Sequence, residues 1–151
     1  MGAPWHLNRE KFERDGVIIR SSNYTLYGDM SARVMQVLGR FTPDLEIYSI
    51  DEAFLGLGGF ETRLESHAAQ LRQTVLQWTG IPAVGVAATK TLAKVANRFA
   101  KKDTDRNGVF VMLDDAAVEK TLSRMALTDL WGVARRSRNG SKRWAYQARL
   151  N

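Results

Sequence analysis

Tyr48-Ser49-Ile50-Asp51-Glu52-Ala53-Phe54-Leu55-Gly56-Leu57 is the stretch on which the organisation of this chain turns. It reads as two short apolar strands with a pair of carboxylates between them. Ile47 and Tyr48 lead in, and Ala53 to Leu57 lead out. On spacing alone Asp51-Glu52 is a solvated turn, which costs little while water reaches both acids. The same pair becomes chemically useful if a third carboxylate and a divalent cation stand opposite. Mg²⁺ prefers hard oxygen ligands, and two cations held about 3.5–4 Å apart can clamp the attacking and leaving oxygens of a phosphoryl transfer.

Downstream, Gly58-Gly59 makes a turn and Thr62 to Trp78 a long helix. Leu64, Ala68, Leu71, Val75 and Trp78 share its inner face, with Arg63, Glu65, Gln70 and Arg72 outside. Gly80 closes it and Pro82 prevents its continuing. Ala83 to Ala87 is apolar without polar alternation, which suits a strand buried on both faces in the middle of a sheet. In the helix from Thr89 to Lys102, Leu92, Val95, Ala96 and Phe99 point inward. Lys90, Lys94, Arg98 and Lys101 fall on one face. Like charges so spaced repel slightly, so this face needs either solvent or an anion. Gly108 to Met112 is a further strand, and Asp114-Asp115 caps a helix through Leu122.

Upstream, a helix starts at a cap on Asp29, carries Met30, Val34, Val37 and Leu38 at helical spacing, and ends at Gly39 and Pro43. Leu7 to Asp15 forms a short helix ended by Gly16. Val17-Ile18-Ile19 is a β-branched strand, and Ser21 to Tyr24 a turn or cap. The element order suits an α+β fold, an antiparallel-leaning sheet with helices on one face.

At 151 residues, 44% of them apolar, the chain is long enough for one domain with a core. It has no cysteine, hence no disulfide or thiolate metal site. No run approaches a membrane-spanning length, and Met1 to His6 lacks the layout of a signal peptide, so a cytosolic, non-membrane protein is expected. His6 and His67 lack ligand spacing. The net charge of +6 invites a nucleic-acid reading. Its distribution weakens that reading: Arg135, Arg136, Arg138, Lys142, Arg143 and Arg149 supply the whole excess, and the first 131 residues are balanced.

The string YSIDEAFLGL resembles the second catalytic motif of the Y-family translesion DNA polymerases, Tyr-Ser-Ile-Asp-Glu-Ala-Phe/Tyr-Leu. GVAATKTLAKVANRFAKK is similar to a second family segment, and SSNYTLYGDMSARV to the UmuC-type branch, the catalytic subunit of DNA polymerase V. Asp129-Leu130-Trp131-Gly132-Val133 resembles the start of the family's thumb, with Ala134 where a second Gly is usual. The likeness runs over about residues 1–136 and stops mid-motif after Arg136.

The resemblance implies a ferredoxin-like polymerase palm. Residues 1–26 would be the end of the fingers, 27–123 the palm, 124–136 the start of a helix-hairpin-helix thumb, and 137–151 a basic tail, disordered or read out of frame. The family's N-terminal strand with the first catalytic Asp, its steric gate, and its little finger have no counterpart here. The implied chemistry is template-directed nucleotidyl transfer in lesion bypass and the SOS response. Asp51 and Glu52 would be the catalytic carboxylates and ligands of a two-Mg²⁺ site. Lys101 would contact the triphosphate, and Tyr24 would face the nucleotide. Lys94, Arg135 and Arg136 would lie on the DNA or phosphate side. The implied partners are primer-template DNA and a deoxynucleoside triphosphate. In a complete protein a UmuD-type accessory subunit, a recombinase filament and a sliding clamp join them. A fragment of this kind is expected to be inactive alone. A non-catalytic nucleic-acid-binding remnant and another palm enzyme, such as a nucleotide cyclase, are the alternatives.

Overall fold

The computed structural model describes residues 3–80, 83–102 and 107–133. The tail with its out-of-frame expectation, and Ala134, Arg135 and Arg136, lie outside the described residues.

Helix α1 spans Trp5–Arg14 and buries none of its residues. It ends where Gly16 adopts a φ of +66°, a left-handed conformation that glycine takes without strain. The strand expected at Val17 to Ile19 does not form. Ile18 is 77% exposed, and none of the described strands lies beside it to complete a ladder. β-branched side chains favour extended backbone, but a strand needs a partner for its N–H and C=O groups.

Helix α2 runs Tyr24–Leu38, its cap at Asn23 and not at Asp29, where the pattern predicts it. The Asn23 side chain caps it by accepting the Leu26 N–H at 3.0 Å. Asp29 lies inside the helix and pairs with Arg33. Tyr24, Leu26 and Tyr27 are all exposed, so the first turns carry no apolar stripe that would reveal them. Only the far end is buried, through Met35, Val37 and Leu38.

β1 (Leu45–Ile47) and β2 (Ala53–Leu55) form the expected antiparallel hairpin, in register Leu45↔Leu55, Glu46↔Phe54 and Ile47↔Ala53. Helix α3 (Leu64–Thr79) follows, stopped by Gly80 at φ +74°. Leu71 and Val75 of α3 join Met35, Val37 and Leu38 of α2 in one core, with Leu45, Ala53 and Leu55 of the hairpin packed on it. Trp78, expected on the inner face, is exposed. The Arg40 guanidinium stacks over its ring, 4.6 Å from the centroid.

β3 (Val84–Ala87) and β4 (Val109–Met112) pair in parallel, joined through helix α4 (Lys90–Lys102). Gly85 abuts the α4 backbone. Ala87, Phe110 and Met112 pack with Val95 and Ala96 in a second core. Val84, on the other face, packs with α3 and α2. The α+β class therefore holds, but α3 and α4 cover opposite faces of this pair. β3 is covered on both faces as expected, yet among the described residues it has one strand partner and is not central. Its small residues reflect the closeness of α4, not strands on both sides. Helix α5 (Asp115–Leu122) is capped by Asp114, whose side chain accepts the Ala117 N–H at 2.7 Å. A single 3₁₀ turn, Leu127–Asp129, then leads to Trp131. No helix among the described residues is long and apolar enough to cross a membrane.

Candidate active site

The hairpin turn fixes where the two carboxylates sit. The N–H groups of Tyr48 and Ser49 both donate to the Glu52 carbonyl at 3.0 Å, closing the turn. The Ser49 hydroxyl donates to Asp51 Oδ1 at 2.7 Å. Asp51 is exposed at the tip, and its carboxylate keeps access to solvent and solutes. Glu52 turns the other way, towards α4. Its Oε2 lies 2.8 Å from Lys94 Nζ, the two side chains being 34% and 20% exposed.

The basic face of α4 meets acids belonging to the chain itself. Lys90 pairs with Glu46 of β1. Lys94 pairs with Glu52, and Arg98 pairs with Asp129 at 2.7 Å. These contacts bridge 44, 42 and 31 residues of sequence. They supply the anions that the charge spacing demanded. Among the described residues Lys101 has no acidic partner; it is exposed at the end of the helix. Seven residues past Lys94, it lies about 10 Å further along the same face.

Two aromatic rings pack against the Lys94 ammonium, and a third, Phe54, packs on those two. Tyr48 and Trp131 meet edge to face at 5.4 Å, and Phe54 lies 5.7 Å from Tyr48. Lys94 Nζ sits 4.7 Å from the Tyr48 ring centroid and 4.8 Å from that of Trp131. The sequence marked Lys94 as a phosphate-side cation; here its ammonium is engaged by Glu52 and two rings. Glu46, Asp129 and Trp131 belong to the site and were not singled out as site residues. The signal for the acids was the unbalanced cation row on α4, and for Trp131 its position just before the turn at Gly132, which has φ +84°.

Tyr24 stands apart from these groups in the helix that carries it: it opens α2, is 80% exposed, and lies at the opposite end from the buried residues. Among the described residues no group of three His, Cys, Asp or Glu side chains could hold a metal ion. Asp51 offers an exposed hard oxygen donor of the kind Mg²⁺ takes, whereas Glu52, with Oε2 engaged by Lys94, would add its other carboxylate oxygen.

The model of the impB/mucB/samB family matches residues 1–98. Protein UmuC of Salmonella typhimurium is 44% identical over 139 residues, covering 89% of this chain and 33% of that protein. Protein MucB of Escherichia coli is 39% identical over 140 residues, with 91% and 33% covered. The chain thus spans about a third of these curated relatives. Among solved structures, the insertion ternary complex of Dbh DNA polymerase superposes with a TM-score of 0.70 at 26% identity, over 89% of this chain and 38% of that one. A DinB family error-prone DNA polymerase from Sulfolobus solfataricus gives a TM-score of 0.68 at 27% identity, with 89% and 40% covered.

Proposed function

Because this chain belongs to the impB/mucB/samB family, we propose that it supplies the palm of a lesion-bypass DNA polymerase and takes part in template-directed nucleotidyl transfer. The observation that carries this reading is the hairpin: Asp51 and Glu52 at one turn, with Glu52 braced from α4. In such a transfer the primer 3′-oxygen attacks the α-phosphorus of a deoxynucleoside triphosphate and pyrophosphate leaves. The protein mainly positions groups and neutralises charge.

Asp51 and Glu52 would hold Mg²⁺, which when bound neutralises charge building on the phosphoryl oxygens. Lys101, unlike Lys90, Lys94 and Arg98, is available to take the charge of the triphosphate. Tyr24 is proposed as a further nucleotide contact, and Arg135 and Arg136, outside the described residues, as contacts to DNA. Primer-template DNA is the macromolecular partner. A UmuD-type subunit, a recombinase filament and a sliding clamp act on the complete polymerase in the cytoplasm during the SOS response.

Family membership sets aside the nucleotide cyclase. The nucleic-acid-binding remnant is disfavoured on α4, because Lys90, Lys94 and Arg98 already face Glu46, Glu52 and Asp129.

The test is a chimera in which this chain replaces the matching third of Salmonella typhimurium UmuC, assayed for primer extension opposite an abasic site. The chimera is expected to extend the primer with Mg²⁺, while residues 1–151 alone extend none. A folded chimera that binds primer-template but never extends it would favour the remnant.

A further inference from the structure

We propose that Lys94 and Trp131 are positioning residues for Glu52: the ammonium, packed against the paired rings of Tyr48 and Trp131, fixes the direction of the second hairpin carboxylate, and the segment Leu127 to Val133 completes that aromatic seat. The role rests on the polymerase reading, which gives Glu52 its task, but the geometry stands without it.

Lys94 is held at its root. Its neighbours Val95 and Ala96 are buried in the α4 core, and α4 lies so close to β3 that only a glycine fits at position 85. Its tip is held too. The ammonium has an acid at 2.8 Å and two adjoining ring centroids, each under 5 Å away. A cation over an aromatic face gains most when water is excluded, and this side chain is 20% exposed. Glu52 is thereby pinned through Oε2, in contrast to Asp51, whose side chain is exposed. One carboxylate of the pair is oriented by the protein and the other is open to a ligand.

The second ring comes from a distant part of the chain. Trp131 reaches the hairpin because its segment is docked at three points. Arg98 holds Asp129 at 2.7 Å, Leu130 packs on the α4 core, and Trp131 closes over Tyr48 and Phe54. If this segment lifts, Lys94 loses one of its two ring contacts and Glu52 its fixed partner. The orientation of a catalytic carboxylate would then depend on the chain that follows the palm.

The experiment is solution NMR on residues 1–151, reading the χ1 rotamer of Glu52 from its α–β couplings; sp³ torsions occupy three staggered wells. One dominant rotamer is expected in the parent, in Lys94→Arg and in Trp131→Phe. Averaging over the wells is expected in Lys94→Met and Trp131→Leu, with amide signals of the α3 core unchanged. A single unchanged Glu52 rotamer in Lys94→Met and Trp131→Leu overturns the proposal. Should both variants unfold, the parent itself decides. Lys94 ε-methylene protons must be shifted upfield by the two rings, and a random-coil shift there refutes the contact. None of these readouts involves turnover, so a chimera without polymerase activity would sink the function while leaving this inference standing.

Discussion

Substituting Gly85 by Ala tests the packing that brings α4 to the hairpin. A Cβ at this position would stand 2.0 Å from the Asn97 nitrogen, 2.5 Å from the Ala93 carbonyl oxygen and 2.6 Å from the Asn97 Cα. All three atoms are helix backbone, so no side chain can swing aside. Restoring ordinary contact requires α4 to retreat by about 1.4 Å, more than the 0.5–1 Å gap that already forfeits a quarter to a half of each dispersion contact. Val95, Ala96, Ala100 and Met112, all within 3% of full burial, lose their neighbours. Overpacking costs about 1–3 kcal/mol, and a clash with backbone belongs at the upper end. At about 2–4 °C per kcal/mol for a chain of this size, the melting temperature should fall by roughly 6–12 °C. Far-ultraviolet circular dichroism melts of Gly85→Ala beside Gly58→Ala measure it. Gly58 is the control, because a Cβ there meets nothing within 4 Å. A Gly85→Ala melt within about 2 °C of the parent would refute the close contact of α4 with β3.

Three further outcomes are expected. Gly28→Ala, in the exposed part of α2 with open space around it, should stabilise the chain by about 0.5–1 kcal/mol, read from urea unfolding. Asn23→Ala removes the acceptor for the Leu26 N–H and should cost about 1 kcal/mol in the same assay. In the chimera, Lys101→Ala should lower kcat/KM for nucleotide by about 10–100-fold, since a hydrogen bond to a charged group contributes about 1.5–3 kcal/mol. A larger loss in Lys90→Ala would move the triphosphate to the other end of α4.

Local pattern made much of this molecule legible. The hairpin, α3, α4, β4 and α5 follow from apolar spacing and from Gly80 and Asp114 as stop and cap. What stayed hidden depends on distant neighbours. Val17 to Ile19 has strand composition, but strand pairing is decided by what lies alongside. The start of α2 was obscured because Tyr24, Leu26 and Tyr27 are exposed apolar residues on a helix with no core behind them. The small residues of β3 signalled close approach without saying whether a helix or a strand approaches. Asp51 and Glu52 were visible as a pair, yet their divergence was not. Only tertiary structure brings Lys94 to Glu52 across 42 residues and Trp131 to Lys94.

The central claim is that the Asp51–Glu52 hairpin carries nucleotidyl transfer, and Asp51→Asn in the chimera addresses it most directly. The substitution keeps the size of the side chain and its bond from Ser49 while removing the charge that would hold a divalent cation. Single-nucleotide incorporation should fall below the detection limit while the circular dichroism melt stays at the parent value. Incorporation retained at a tenth or more of the parent rate would contradict the claim.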